Sequence, residues 1–423
     1  MKTRNNKSDA AFSNPFRPGA GHMPPYLAGR QQEEAEFKSM LKQDPILQNM
    51  VLTGLRGVGK TVLLETFRPI AIQDGWGWVG TDLSESVSLS EANMATRILT
   101  DLSVFTSGLT VQGKDHKVGF VEGPSKATPL AFAILLAKFN EIPGLIADKL
   151  KGVLEYVWAV LQNSGKHGIV FAYDEAQNLH DVAAKDQYPL SLLLDVFQSI
   201  QRKGVRFLLV LTGLPTLFPK LVEARTYAER MFHVVTLNPL GKAASKEAIL
   251  RPIENCPVQF TRESVEAIIN LTSGYPYFIQ FVCKEVYDIW IQQLGSGKQP
   301  SVPYAELVRK LDADFFDGRW ARATDRQRDL LQIAASLPNC DGEFTVQELV
   351  SGSKDQKKIM KPFTSSHVNQ MLAALSDAGL VYKNRHGRYS FAVPLFAQFI
   401  RRQPIGGLSN DELTLDFGEP NES

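Results

Sequence analysis

Eight residues restrict this chain more than any other feature: Gly54-Leu55-Arg56-Gly57-Val58-Gly59-Lys60-Thr61 fits Gly-x4-Gly-Lys-[Ser/Thr]. The octet follows the apolar run Met50-Val51-Leu52-Thr53 and opens the helical sequence Thr61-Val62-Leu63-Leu64-Glu65-Thr66-Phe67. In that strand-to-helix setting the glycines let the backbone curl, so that N–H groups and the helix N-terminus face phosphates. Lys60 is spaced to reach the β- and γ-phosphates, and Thr61 to offer its hydroxyl to Mg2+. Gly54, Gly57, Gly59, Lys60 and Thr61 are therefore the expected nucleotide-binding residues.

About 115 residues downstream, Gly168-Ile169-Val170-Phe171-Ala172-Tyr173-Asp174-Glu175 is an apolar strand pattern that ends in two carboxylates. Phosphoryl transfer needs charge neutralisation and an oriented nucleophile, so Asp174 is expected to hold Mg2+ through water and Glu175 to polarise the attacking water. Val210-Leu211-Thr212-Gly213 ends the next apolar run. Thr212 either bonds the γ-phosphate or that water, or simply forms the turn with Gly213.

Between Asn49 and Pro239 short β-rich runs alternate with helical stretches, the signature of a parallel sheet covered on both faces. Helices are expected over about Ser90–Phe105 and Ile142–Leu161, with an insertion loop or hairpin at about 106–128. The boundaries expected from composition are a disordered or extended arm (1–23), an α/β core (24–240), a helical lid (241–320), a fourth segment (321–403) and an acidic disordered tail (404–423). Lys plus Arg total 46 against 45 Asp plus Glu, a net +1, so any nucleic acid must be held by a local patch. No apolar run approaches the roughly 18 residues of a membrane span, and the chain is expected in the cytoplasm. Cys256, Cys283 and Cys340 share no metal or redox spacing, and the seven histidines show no ligand spacing.

These motifs, with the Arg-containing segment before the last core strand, resemble the AAA+ class of P-loop ATPases over residues 24 to about 320. The resemblance implies ATP and Mg2+ as ligands, Gly29-Arg30 beside the adenine, and assembly into a homo-oligomer. It also implies an arginine finger acting on the neighbouring subunit's nucleotide, with Arg230 the better match and Arg225 the second. The origin-recognition-like initiators carry a Gly-x-x-Arg in their lid, whereas Gly274-Tyr275-Pro276-Tyr277 here resembles the Gly-x-Pro of the STAND ATPases, in which the Pro packs near the nucleotide.

Residues 321–402 read as three helices, an alternating hairpin and a last helix, a winged-helix pattern. This segment has 12 Lys/Arg against 7 Asp/Glu. Lys383, Arg385 and Arg388 on the wing are candidate phosphate contacts, and Asn369 and Gln370 candidate readers of adenine edges. A winged helix used for protein contacts, or for clamping the ATPase shut, is the alternative. The expected function is an ATP-hydrolysing switch that acts on DNA or a protein; the alternative is a nucleotide-loaded adaptor with little turnover.

Overall fold

The computed structural model describes residues 13–19, 21–112, 127–293, 302–355, 362–385 and 387–403. The chain divides into two units, 1–302 and 303–423.

The first unit is built on five parallel strands: β1 (Asn49–Thr53), β2 (Gly77–Val79), β5 (Ile169–Tyr173), β6 (Phe207–Gly213) and β7 (Phe232–Thr236), in the order β2-β5-β6-β1-β7. Side chains alternate between the faces of a strand, and the core divides accordingly. Val51, Ile169, Phe171, Phe207, Leu209 and Leu211 enter one apolar layer. Met50, Leu52, Val170, Ala172, Leu208 and Val210 enter the other. Helices α1 (Gln31–Leu41) and α2 (Lys60–Gln73) cover the second layer, where Phe37 stacks on Phe67 at 4.2 Å. The first layer is covered by α3 (Glu91–Thr106), α4 (Phe132–Glu141), α5 (Ile146–Leu161), α6 (Pro189–Gln201) and α7 (Leu217–Ala224), with α8 (Ala228–Met231) leading into β7. The chain leaves β1 for the far edge, returns through β5 and β6, and crosses β1 to reach β7. Such a reversal opens a crevice at the carboxyl ends of the strands.

One expectation changes here. The helix expected from Ile142 starts at Ile146, because Pro143-Gly144 breaks it, with Gly144 at φ 108. The stretch before it is the separate α4. At the 106–128 insertion, β3 (Thr110–Gln112) and β4 (Ala127–Pro129) pair antiparallel, and residues 113–126 lie outside the described residues.

After β7 come α9 (Lys242–Leu250), α10 (Arg262–Thr272) and α11 (Pro276–Gln293). The N-terminal arm docks on them, so its described part is packed coil. Phe16 is 2% exposed, stacks on Phe260 and meets Tyr287 edge-on. Asn14 Nδ2 donates to Lys284 O and Asp288 Oδ1, and Arg17 N–H to Gln280 Oε1. Burying the Phe16 ring stabilises this docking by about 2 kcal/mol.

The second unit holds α12 (Tyr304–Leu311), α13 (Asp317–Trp320), α14 (Asp325–Ser336), α15 (Val346–Asp355), α16 (Ser365–Asp377) and α17 (Phe396–Arg402). Strands β8 (Phe344–Thr345), β9 (Val381–Arg385) and β10 (Arg388–Phe391) form an antiparallel sheet in the order β8-β10-β9. Residues 303–320 belong to this unit rather than to the lid, because Phe316 and Trp320 pack on Phe396 and Phe399. The tail from 404 lies outside the described residues.

One buried polar group anchors the amino ends of the central strands. Asn49 Oδ1 accepts Leu209 N–H and Gln201 Nε2, each at 2.8 Å, and Asn49 Nδ2 donates to Gln201 Oε1 at 3.0 Å. Asn49→Ala leaves buried donors and an acceptor unpaired, and is expected to lower stability by about 3 kcal/mol. The urea midpoint measures it, and a loss under about 0.5 kcal/mol contradicts this account.

Candidate functional site

The Gly54–Thr61 loop joins β1 to α2 at the carboxyl end of the sheet. Its shape is held from outside. Tyr277 N–H, in the first turn of α11, donates to Gly57 O at 3.1 Å, and Arg30 Nη2 donates to Val58 O at 2.9 Å. A trans peptide points its C=O and N–H in opposite directions, so these bonds aim the Val58 and Gly59 N–H groups to the opposite, inner side. Gly57 and Gly59 have φ 80 and 92, which favour glycine, and a Cβ built on Gly59 meets nothing within 4 Å. The result is an open concavity lined by backbone donors at the start of a helix.

Lys60 Nζ donates to the carbonyls of Gly54 and Leu55 at 2.9 and 3.0 Å. Burial pushes its ammonium below its ordinary pKa, against the attraction of Asp174 and Glu175 and with the repulsion of Arg56, a second cation of the same loop. Thr61 Oγ1 donates to Asp174 Oδ2 at 2.5 Å, joining the loop to the end of β5. Asp174 is 4% exposed, and burial raises its pKa in spite of hydrogen bonds from Thr61 and from the Glu175 N–H. Glu175 is exposed, with its backbone in the left-handed region at φ 52. Thr212 sits on β6 between β5 and β1, fully buried, on the face of Leu208 and Val210 that α2 covers. Its hydroxyl has no hydrogen-bond partner among the described residues, nor has that of Thr53 at the end of β1.

This donor set fits a nucleotide phosphate and a hard divalent cation: inward-facing backbone N–H groups, a lysine held by carbonyls, a hydroxyl–carboxylate pair and a buried hydroxyl without a partner among the described residues. Among the described residues no cluster of three His, Cys, Asp or Glu stands ready for a metal. A P-loop cation needs none, since it keeps waters and takes phosphate oxygens.

The other expected residues lie around this core. Arg30 is 6% exposed, and besides Val58 O it reaches Asn238 O at 3.0 Å and Glu33 at 3.1 Å. Its guanidinium thus braces the phosphate loop against the segment after β7. Gly29, at φ 62, comes so close to α9 that a Cβ would stand 2.6 Å from Ala244 Cβ. Pro276 opens α11 just after Gly274, whose carbonyl accepts Leu240 N–H at 2.8 Å. A Cβ built on Gly21, in the arm, would stand 3.3 Å from the Thr61 methyl.

The two candidate arginines differ sharply. Arg225 forms a two-pronged pair with Asp195 at 2.9 and 2.7 Å, and Tyr227 Oη donates to the same carboxylate at 2.6 Å. Burial pushes the Asp195 pKa up, but these hydrogen bonds outweigh it and hold the carboxyl below its ordinary range. Arg230, exposed on α8, makes no side-chain hydrogen bond or ion pair among the described residues.

In the second unit, Val368, Leu372 and Leu375 of α16 are buried, while Asn369 and Gln370 are exposed. Asn369 Nδ2 donates to Ser365 O of its own helix at 2.9 Å. Lys383 is exposed; Arg388 lies 3.6 Å from Glu343; the Arg385 side chain lies outside the described residues.

Residues 48–221 match the family model of an AAA domain, and residues 313–400 match that of a domain of unknown function, DUF8462. Among solved structures, the chain is similar to the Walker-type ATPase of Pyrococcus abyssi, with TM-score 0.54, 16% identity, and 89% of this chain and 96% of that one covered. It is also similar to the ORC2 protein of Aeropyrum pernix in its ADP form, with TM-score 0.51, 16% identity, and 90% and 94% covered. No curated protein matches the sequence. At these identities the likeness is one of fold. The architecture is an α/β P-loop fold of the AAA+ type. No helix among the described residues is long and apolar enough to cross a membrane.

The arginine environments lead to a stability contrast. Arg225→Ala removes three hydrogen bonds, two to Asp195 and one to Ala224 O, and leaves Tyr227 as the hydrogen-bond donor to Asp195, so its melting midpoint is expected to fall. Arg230→Ala is expected to stay within about 0.5 kcal/mol of the parent. Equal melting of the two variants contradicts the contrast.

Proposed function

We propose that this chain is a Mg-ATP-dependent AAA+ switch that hydrolyses ATP, assembles through nucleotide and acts on a macromolecular partner. The observation that carries the reading is the meeting of Lys60, Thr61 and Asp174 beside the orphaned Thr212 hydroxyl at the carboxyl ends of β1, β5 and β6. In this reading the Val58 and Gly59 N–H groups and Lys60 hold the phosphates. Thr61 and Asp174 hold Mg2+, which when bound supplies charge neutralisation at the β- and γ-phosphate oxygens. Glu175 accepts a hydrogen bond from the attacking water and orients it, and Thr212 donates to the γ-phosphate or to that water. The adenine falls to the side of Gly29 and Pro276, with Arg30 bracing the loop. The Tyr277 N–H bond to Gly57 O supports a lid that senses the state of the phosphate loop. Arg230, whose side chain makes no hydrogen bond or ion pair among the described residues, is the arginine assigned to the neighbouring subunit's nucleotide, while Arg225 is engaged by Asp195.

Lys60→Ala is expected to abolish ATP binding, because the phosphates lose the lysine spaced for them; affinity within twofold of wild type overturns the assignment. Glu175→Gln is expected to bind ATP and lose turnover. Arg230→Ala is expected to keep nucleotide affinity and lose turnover, since a finger stabilises transition-state charge rather than the ground state. Mixed with Lys60→Ala, it supplies the intact loop and the partner supplies the intact arginine, so activity is expected to return in part. No recovery in a mixture shown to co-assemble makes Arg230 a surface charge.

The second unit, read as a winged helix, supplies the partner contact, and its excess of Lys and Arg favours duplex DNA held by its phosphates. Lys383, Arg385 and Arg388 together should contribute about −2.7 to the slope of log affinity against log salt, and neutralising all three should flatten it by that amount. Base reading through Asn369 and Gln370 is expected to be weak, because one of the two donors of the Asn369 amide already serves Ser365 O and holds the side chain to its own helix. Absence of duplex binding at low salt in every nucleotide state assigns the unit to a protein partner.

A further inference from the structure

Gln177 stands two residues beyond Glu175, in the short turn Ala176–Asn178, and its amide is engaged at both ends. Gln177 Oε1 accepts Leu214 N–H at 3.1 Å, and Gln177 Nε2 donates to Glu175 Oε2. The two bonds fix which end of the amide faces which neighbour: a backbone N–H needs an acceptor and a carboxylate needs a donor. The turn itself is anchored, because Lys220 Nζ donates to Gln177 O at 2.8 Å. Space for the amide comes from Gly213, where a Cβ would stand 2.7 Å from Gln177 Oε1. One side chain thus spans from the end of β5, which carries Asp174-Glu175, to the end of β6, which carries Thr212-Gly213-Leu214.

We propose that Gln177 is a positioning residue for nucleotide hydrolysis: its amide fixes one oxygen of Glu175, turns the other toward water, and ties that orientation to the strand end that carries Thr212. The proposal rests on the reading of Glu175 as the water-orienting group. An exposed glutamate rotates freely about its terminal torsion, and a water-orienting carboxylate gains from having that freedom removed before the transition state. The Glu175 backbone is already confined at φ 52, so the amide bond completes the restraint at the carboxylate. Coupling follows from the same bonds: a shift of the β6 end moves Leu214 N–H, which moves the amide that holds Glu175.

The test uses the full chain and single-turnover ATP hydrolysis with protein in excess, so that residual rates stay readable, together with binding of a fluorescent ATP analogue. Gln177→Leu can neither donate nor accept. Gln177→Glu keeps an acceptor for Leu214 N–H and sets a carboxylate against Glu175, so it remains informative if the leucine variant folds poorly. Both are expected to lower the hydrolysis rate at least tenfold while the analogue's Kd stays within threefold. Added to Glu175→Gln, Gln177→Leu is expected to cost nothing further, since residues that act as one unit are not additive. An unchanged or raised rate in Gln177→Glu overturns the proposal, as does a full additional loss in the double variant, which marks a purely structural role. Wild-type turnover in Glu175→Gln alone is a different result: the assignment of Glu175 falls, and the role of Gln177 with it.

Discussion

The hydrogen bond from Thr61 to Asp174 is the constraint around which the first unit is arranged. A carboxylate that is 4% exposed is costly to keep charged, and here two donors, the Thr61 hydroxyl and the Glu175 N–H, stabilise it. Thr61 and Asp174 come from elements that are not neighbours. β6 lies between β5 and β1, so the bond requires the helix after β1 to start over β6. That leaves Thr212 beneath it, on the face that α2 covers, with its hydroxyl unpaired. The crevice, the buried charge and the orphaned donor therefore share one cause, the order of the strands.

The elements of this sheet were legible in the sequence, and their order was not. Five-residue apolar runs such as Ile169–Tyr173 contrast sharply with the charged or glycine residues at their ends, and a doubly covered strand needs that contrast. Order depends on which helix covers which gap, a contact between distant residues with no local signature. The same limit applied to side-chain partners. Arg30 donates to a carbonyl 208 positions away, at Asn238, and composition gives no hint of it. Gln177 reads as a surface residue until the left-handed turn at Glu175 brings it beside Leu214. Phe16 carried a signal of its own: a large aromatic in a polar arm, flanked by Asn14-Pro15 and Arg17-Pro18, is better explained by docking than by disorder.

The docked arm alters how the helices after β7 should be regarded. Phe260, just before α10, and Tyr287 of α11 pack on Phe16, α11 holds Asn14 and Arg17, and a Cβ built on Gly21 would stand 3.3 Å from the Thr61 methyl. A second tie runs from Tyr277 at the start of α11 to Gly57 O. A displacement of α11 therefore acts on the phosphate loop directly at Gly57. Because the Gly57 carbonyl fixes the direction of the Val58 N–H, a small shift there rotates a donor in the cradle rather than merely loosening the packing.

The filling of donors separates architecture from chemistry in this site. Arg225 has its guanidinium matched to the Asp195 carboxylate with a tyrosine hydroxyl alongside, an arrangement that asks for nothing more. Lys60 is different: an ammonium in a partly desolvated loop is held directly by two neutral carbonyls, with Asp174 and Glu175 attracting it without an ion-pair contact among the described residues. Arg30 looks at first like a ligand-facing cation, yet its contacts to Val58, Asn238 and Glu33 make it part of the frame. Among the described residues of the site, what stays uncommitted is a short set: Lys60, the inner N–H groups of the loop, the Thr53 and Thr212 hydroxyls and the exposed Arg230. The first three converge on the crevice at the carboxyl ends of the strands. Arg230 lies on the surface at the entry to β7, so any anion that completes it is approached from outside.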